Sequence, residues 1–108
     1  MGVIESSKDG KRVTLGVRVL VGRAPHALVR LASPTVSAEH ARVTWQEGAW
    51  QIRDLASTNG TWVDGERLSA QGAVTLRRGS SLAFGDPVER WVLADDRPPE
   101  AQAVRVSD

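Results

Sequence analysis

The 108-residue sequence predicts an all-β domain, built as an antiparallel sandwich or barrel. Apolar residues recur at every second position, which is the period of a strand with one buried face, whereas a helix would distribute them around its circumference. Short connections that contain glycine separate these stretches at a spacing of about ten residues, as is typical of antiparallel β domains. Both observations favour short strands throughout.

The alternating pattern starts with Val13–Val21, "VTLGVRVLV", which predicts one strand. It returns in 41–45, 50–52, 74–76, 82–84 and 91–93. Tight turns are predicted between these stretches, because glycine adopts a positive φ without steric cost. Four dipeptides carry this signal: Asp9-Gly10, Glu47-Gly48, Asp64-Gly65 and Arg78-Gly79.

Two segments depart from the strand pattern. Residues 32–39 offer Ser33 or Ser37 as a helix cap, but the next strand-like stretch begins too soon for a helix, so a long irregular connection is predicted. Such connections gather at the ends of sandwiches and form binding surfaces. Residues 95–108 contain Pro98-Pro99 and mixed charge, which predicts a linker or disordered tail after a folded domain at 1–94.

Composition narrows the function classes. Lys plus Arg number 14 against 13 Asp plus Glu, for a net charge of +1, so neither nucleic acid nor a membrane surface is expected as a partner. The absence of cysteine excludes disulfides, thiolate zinc sites and cysteine nucleophiles. No apolar stretch suits a signal peptide or a spanning helix, so we expect a soluble, cytoplasmic protein. All but two of the basic residues are arginine, which hints at a bacterial source.

Three polar clusters lie in predicted connections, and their residue types together suit an anionic group and an extended peptide. Arginine offers a planar fork of donors to a phosphate or a carboxylate, a serine hydroxyl adds a neutral donor, and an asparagine amide can both donate to and accept from a peptide backbone. The clusters are Gly22-Arg23, Ser37-Ala38-Glu39-His40 and Ser57-Thr58-Asn59-Gly60. In the last of these, Gly60, and with it Asn59, suits a left-handed turn.

The stretches "VLVGRA", "SPTVSAEHARV", "WQIRDLASTNGTWVDGERL" and "LRRGSSLAFGD" together resemble the forkhead-associated (FHA) domain, a module that binds phosphothreonine. The motifs Gly-Arg, Ser-x-x-His, Thr-Asn-Gly and a final Gly-Asp occur in the family's order over about Val13 to Leu93. The resemblance implies an antiparallel β-sandwich of about eleven strands, of the SMAD/FHA-like type, whose loops at one end hold the peptide.

The resemblance also implies roles for individual residues. Those matching the positions that bind the phosphopeptide are Arg23 and Ser37 at the phosphate, Thr58 in the phosphothreonine pocket and Asn59 at the peptide main chain. Those matching positions that keep the loops in shape are Gly22, His40 and Gly60. One departure is Ala38, which stands where many relatives have a longer polar residue that helps to hold the peptide.

The implied function is non-catalytic, phosphothreonine-dependent protein binding in bacterial Ser/Thr kinase signalling, by a monomer without metal or cofactor. The expected partner is a threonine-phosphorylated protein, either a Ser/Thr kinase or its substrate. The alternative is a phosphate-independent interaction module on the same fold. A hydrolase using Ser37, His40 and Asp54 is disfavoured because no Gly-x-Ser-x-Gly elbow surrounds the serine, and two histidines without cysteine give poor support for zinc.

Overall fold

The protein is an all-β sandwich of two sheets. The computed structural model describes residues 1–69 and 72–99, and no helix occurs among them. This confirms the predicted fold class and the expected number of strands. The eleven strands are β1 Gly2–Ser6, β2 Arg12–Leu15, β3 Arg18–Gly22, β4 Val29–Arg30, β5 Ala41–Gln46, β6 Ala49–Asp54, β7 Thr61–Val63, β8 Glu66–Arg67, β9 Ala73–Thr75, β10 Ser81–Phe84 and β11 Arg90–Asp96.

Strand order brings distant parts of the sequence side by side. The six-stranded sheet has the order β2-β1-β11-β10-β7-β8, and the five-stranded sheet has the order β4-β3-β5-β6-β9. The pairings are antiparallel apart from β3 with β4, which is parallel. In the second sheet, the end of β3, the start of β5 and the end of β6 consequently lie at the same end of the sandwich.

The core lies between the two sheets and consists of the inward-facing residue of each alternating pair. Ile4, Leu82 and Leu93 from the first sheet and Val43 and Ile52 from the second are fully buried. Full burial of such a side chain stabilises the fold by about 1.5–3 kcal/mol before entropy is counted. The alternation of apolar and polar residues in the sequence therefore reflects the single buried face of each strand.

The single strand predicted over Val13–Val21 is wrong, because the chain changes sheets within it. β2 pairs with β1 in one sheet and β3 pairs with β5 in the other, with the crossing at Gly16 and Val17. Val17 is 44% exposed, whereas Leu15 and Val19 both face the shared core. A period of two continues across the crossing, so the pattern alone could not reveal it.

The predicted turns are confirmed by their backbone angles. Gly10, Gly48, Gly65 and Gly79 all have positive φ. In the hairpins β5–β6 and β7–β8 the preceding residue is also left-handed, as a type I′ turn requires: Glu47 has φ 53° and Asp64 has φ 51°.

The two ends of the described chain meet at the pole opposite the β3, β5 and β6 loops. Gly2 lies against the ring of the buried Trp50, and Trp50 Nε1 donates to the Arg97 carbonyl over 3.1 Å. The predicted domain boundary at 94 falls inside β11, which continues to Asp96. Residues 100–108 of the predicted tail lie outside the described residues. In the described ranges, no helix has the length and apolarity needed to cross a membrane.

Candidate functional site

The candidate residues come from three connections that converge at one end of the sandwich. Arg23 directly follows β3, Ser37 lies in the connection between β4 and β5, and Thr58 and Asn59 lie between β6 and β7. Because β3, β5 and β6 are hydrogen-bonded neighbours, these connections are forced together. Topology thus places the three sequence clusters beside one another.

Ser37 is the junction between the connections. Its carbonyl accepts from the Arg23 amide over 3.0 Å, and its Oγ accepts from the Thr58 amide over 3.1 Å. A second backbone bond, from Ala24 to the Ala38 carbonyl, runs beside the first. Since Oγ acts as acceptor here, its own hydrogen stays free to donate to a ligand.

Arg23 offers an uncommitted cation. Its side chain is exposed and forms no ion pair or hydrogen bond within ranges 1–69 and 72–99. Its carbonyl accepts from Arg30 Nε over 3.4 Å, which brings a second guanidinium to this connection. Two guanidinium-bearing residues, Arg23 and Arg30, therefore lie at the connection bonded to Ser37.

Asn59 keeps half of its amide available. Nδ2 donates one hydrogen to the Thr35 carbonyl over 2.9 Å, which fixes the orientation of the side chain. The other Nδ2 hydrogen and Oδ1 remain for a ligand. An amide held in this way presents one donor and one acceptor, as needed to pair with an extended peptide backbone.

His40 joins two connections from inside the protein. It is fully buried, and its Nδ1 accepts from the Ser37 amide over 3.0 Å. Nε2 must then carry the hydrogen, which it donates to the Gly60 carbonyl over 2.7 Å. The ring also meets Phe84 edge-on at 5.9 Å. Both ring nitrogens are committed to loop backbone, so His40 holds the site from beneath.

The two glycines are required for different reasons. A β-carbon on Gly22 would overlap the Ala38 carbonyl, so close approach of β3 to the Ser37 connection depends on glycine. Gly60 has φ 96°, a conformation that side chains rarely adopt. Its carbonyl also accepts from the Gly85 amide, linking the Asn59 connection to the one after β10.

Sequence reasoning missed the network that shapes the Asn59 connection. The buried Asp54 carboxylate accepts from the Ser57 amide over 3.0 Å, from Ser57 Oγ over 2.5 Å and from Thr61 Oγ1 over 2.7 Å. Ser57 Oγ in turn accepts from the Gly60 amide. The signal was available in the Asp-x-x-Ser spacing, which typically closes a local turn.

The pKa of Asp54 lies below its ordinary value. Burial is the largest single influence and raises the pKa, but the hydrogen bonds from Ser57 and Thr61 together outweigh it.

Within this connection the left-handed non-glycine residue is Ala56, with φ 58°, while Asn59 is not left-handed. The expectation that Asn59 shares the conformation of Gly60 is therefore wrong.

A cleft of about 460 Å³ opens beside Asn59. Thr35 lines the cleft and its carbonyl also holds the Asn59 amide. Gly85 lies so close to the Thr35 carbonyl that a β-carbon on it would overlap that group. The cleft has apolar residues such as Phe84 and Trp91 at its base and charged side chains at its rim. An extended ligand crossing Asn59 has room to continue here.

The residues of the disfavoured hydrolase do not form a triad. Ser37 Oγ accepts from the Thr58 amide, while His40 contacts the Ser37 backbone amide rather than its hydroxyl. Asp54 bonds to Ser57 and Thr61. The hydrogen bonds of all three side chains thus serve loop structure.

Comparison with known proteins agrees with this architecture. The FHA domain family profile matches residues 19–85. The FHA domain-containing protein FhaB of Mycolicibacterium smegmatis is 37% identical over 87 residues, covering 80% of this chain and 55% of that protein. The FhaB of Mycobacterium tuberculosis is 36% identical over 84 residues, covering 77% and 53%. The chain thus matches about half the length of these relatives.

Solved structures extend the comparison. Mycobacterium tuberculosis EmbR, in complex with a low-affinity phosphopeptide, aligns with a TM-score of 0.81 and 25% identity, over 92% of this chain and 25% of that one. The match to the family profile spans more than half of the sequence and contains all three polar clusters. The chain therefore belongs to the FHA domain family, a family of binding modules.

Proposed function

We propose that the chain binds threonine-phosphorylated peptides and acts as a non-catalytic reader of that modification. Arg23 and Ser37 hold the phosphate, Thr58 lines the phosphothreonine pocket and Asn59 pairs with the peptide main chain. The observation that carries the proposal is the position of Ser37, bonded to the Arg23 backbone on one side and to the Thr58 amide on the other. Ser37 thus links the backbone of Arg23 to that of Thr58.

Charge explains why the phosphate is decisive. A phosphothreonine carries a charge of about −1.5 to −2 and three strong acceptor oxygens. The Arg23 guanidinium and the Ser37 hydroxyl hydrogen are donors without a partner in the described residues. An unmodified threonine leaves the cation unmatched, so discrimination follows from one charge-assisted contact worth about 1.5–3 kcal/mol together with the hydroxyl bond.

Preference for threonine over serine rests on one methyl group. Burying it in a small apolar pocket contributes about 1 kcal/mol, which is roughly a fivefold difference in affinity. This contribution biases binding towards threonine but does not enforce it.

The proposed partner is a threonine-phosphorylated protein, a Ser/Thr kinase or its substrate, in cytoplasmic bacterial signalling. The similarity to two mycobacterial FHA proteins supports a bacterial setting. The proposed unit is a monomeric binding domain that includes all of β11, so the proposed linker or tail begins after Asp96 rather than at residue 95.

Calorimetric titration with matched peptides tests the proposal. A degenerate phosphothreonine library first selects a sequence, which is then made in phosphothreonine, phosphoserine and unmodified forms. We expect binding of the first, roughly fivefold weaker binding of the second and no detectable binding of the third. Arg23→Ala should weaken binding of the phosphothreonine peptide about 100-fold while leaving the unfolding curve nearly unchanged.

Arg12→Ala is the matched control, because Arg12 lies on the other sheet, paired with Glu5. It should bind like wild type. Equal affinity of wild type and Arg23→Ala for the phosphothreonine peptide would reject the assigned site. Equal affinity of wild type for modified and unmodified peptides would favour the phosphate-independent interaction module instead.

A further inference from the structure

The outward face of the five-stranded sheet carries a row of arginines outside the loop site. Arg18 on β3, Arg42 on β5 and Arg53 on β6 alternate with fully buried core residues and so face outward. Arg42 lies directly opposite Arg53, while Arg18 lies opposite Thr44 and Leu20 opposite Arg42. Like charges directly across a strand pair repel each other. Sheet pairing thus places three cations on one face.

No carboxylate shares the outward positions of the described strands β3, β5, β6 and β9. The other outward residues are Leu20, Thr44, Gln46, Ala49, Gln51, Ala73 and Thr75. Neither Arg18 nor Arg42 forms an ion pair with any residue in the described part of the chain. These two cations are therefore not neutralised from within that part.

The surface has relief as well as charge. Arg18 and Arg42 line both of two shallow hollows, of about 320 and 120 Å³. Leu28, which is 57% exposed, borders the larger one. Glu39 also lines the larger hollow, and its carboxylate pairs with His26 over 3.2 Å. The hollows thus combine guanidinium donors, amide side chains and an exposed apolar contact.

We propose that this arginine face is a second docking surface, which binds an extended acidic segment of a partner protein. Charge complementarity identifies the occupant: the outward positions carry Arg and neutral residues only. The row crosses three strands that are about 4.8 Å apart, so an extended segment of about four residues, with Asp or Glu at alternate positions, spans roughly the same distance of about 10 Å. Guanidinium groups bind carboxylates through paired hydrogen bonds.

A nucleic acid fits this surface less well. Readers of phosphate polymers rely on many clustered cations and on exposed aromatic platforms. The outward positions named above contain three arginines and no aromatic residue, and the net charge of the chain is +1. A protein segment that needs only a few charge contacts is the better match.

The arginine face lies close to the loops but does not depend on them. Arg42 follows the buried His40 by two residues, and Arg53 immediately precedes Asp54. One partner could occupy both surfaces, yet the arginine face is inferred without reference to Arg23 or to a phosphate. The two proposals can accordingly fail separately.

The test titrates the 108-residue chain with an unphosphorylated peptide of about 12 residues in which Glu alternates with Ser, followed by NMR amide shifts at low salt. We expect shifts on β3, β5 and β6 around Arg18, Arg42 and Gln51. The variant Arg18→Glu/Arg42→Glu should weaken this binding about tenfold or more and keep its affinity for the phosphothreonine peptide.

Arg77→Glu/Arg78→Glu is the matched control, since it makes the same change in charge in the turn between β9 and β10, outside the outward strand positions that form the arginine face. It should bind the acidic peptide within about twofold of wild type. Shifts confined to the Arg23 and Ser37 loops, unchanged affinity of Arg18→Glu/Arg42→Glu, or equal weakening in the control would each overturn the proposal. Tighter binding of a single-stranded oligonucleotide that depends on Arg42 would overturn the choice of occupant.

Discussion

The Thr58 amide donates a hydrogen bond of 3.1 Å to Ser37 Oγ across 21 positions of sequence. This bond joins the two connections that carry most of the phosphopeptide-binding candidates. It also orients the hydroxyl so that its hydrogen points away from Thr58. Ser37 thereby contributes both to the shape of the site and to its donor set.

Ser37→Ala should cost more in binding than in stability. The change leaves the exposed Thr58 amide to water, so we expect the free energy of unfolding to fall by about 1 kcal/mol. Affinity for a phosphothreonine peptide should drop about tenfold, because a phosphate donor is lost. Urea denaturation and calorimetry measure the two effects. Ser7→Ala, at an exposed turn position, is the control and should change neither.

His40→Ala should destabilise the protein far more than Ser37→Ala. It removes a fully buried ring together with both of its hydrogen bonds to loop backbone, so we expect a loss of about 3 kcal/mol. His26→Ala provides the comparison, since that histidine is exposed and should change stability by less than about 0.5 kcal/mol. A smaller loss for His40→Ala than for Ser37→Ala in thermal unfolding would contradict the supporting role of the ring.

Asp54→Asn should make stability less dependent on pH. The folded-state pKa of Asp54 lies below that of the unfolded chain, so its contribution is complete above about pH 4 and is lost as the pH falls through the folded value. At neutral pH the amide cannot accept all three hydrogen bonds, and we expect a loss of about 1–3 kcal/mol.

The difference between wild type and Asp54→Asn should therefore narrow on acidification. Urea denaturation at several values between about pH 7 and pH 3 measures it. Glu66→Gln removes a carboxylate from an exposed strand position and should run parallel to wild type. A constant difference between Asp54→Asn and wild type at all pH values would show that the carboxylate charge is not what closes the turn.

Gly22→Ala should disturb both stability and binding. The added methyl overlaps the Ala38 carbonyl, which is backbone and cannot rotate away, so the Ser37 connection must move. We expect a loss of about 1–3 kcal/mol and weaker phosphopeptide binding. Gly16→Ala is the matched control: a β-carbon there meets nothing within 4 Å and φ is not positive. Wild-type behaviour of Gly22→Ala in both assays would show that the loops are not closely packed.

The sequence predicted the fold class because alternation and turn residues are local. Glu47-Gly48 and Asp64-Gly65 marked their hairpins correctly, since left-handed backbone selects glycine at once. The crossing at Gly16 and Val17 was not predictable, because Leu15 and Val19 face the same core from different sheets. Two-residue strands such as Val29–Arg30 carry too short a pattern to be noticed.

The site shows the same division between local and distant information. The residue types in the three clusters indicated a polar binding surface, but the contacts between them depend on strand order. The Asn59 amide bonds to Thr35, 24 residues earlier, and His40 bonds to Gly60, 20 residues later. The arginine face escaped notice because Arg18, Arg42 and Arg53 lie in separate strands and become neighbours through sheet pairing.

The position of Trp50 has a consequence for protein engineering. Its ring touches Gly2 and its indole nitrogen holds the Arg97 carbonyl, so the first and last described strands leave the sandwich next to each other. A reporter joined directly before Gly2 or directly after Arg97 would attach at the pole remote from Arg23, and so would a host protein whose surface loop is opened to receive residues 2–97. Such fusion proteins should leave the loop site unobstructed. Because the Trp50 indole lies at the junction, its fluorescence should change if the fusion distorts the structure there.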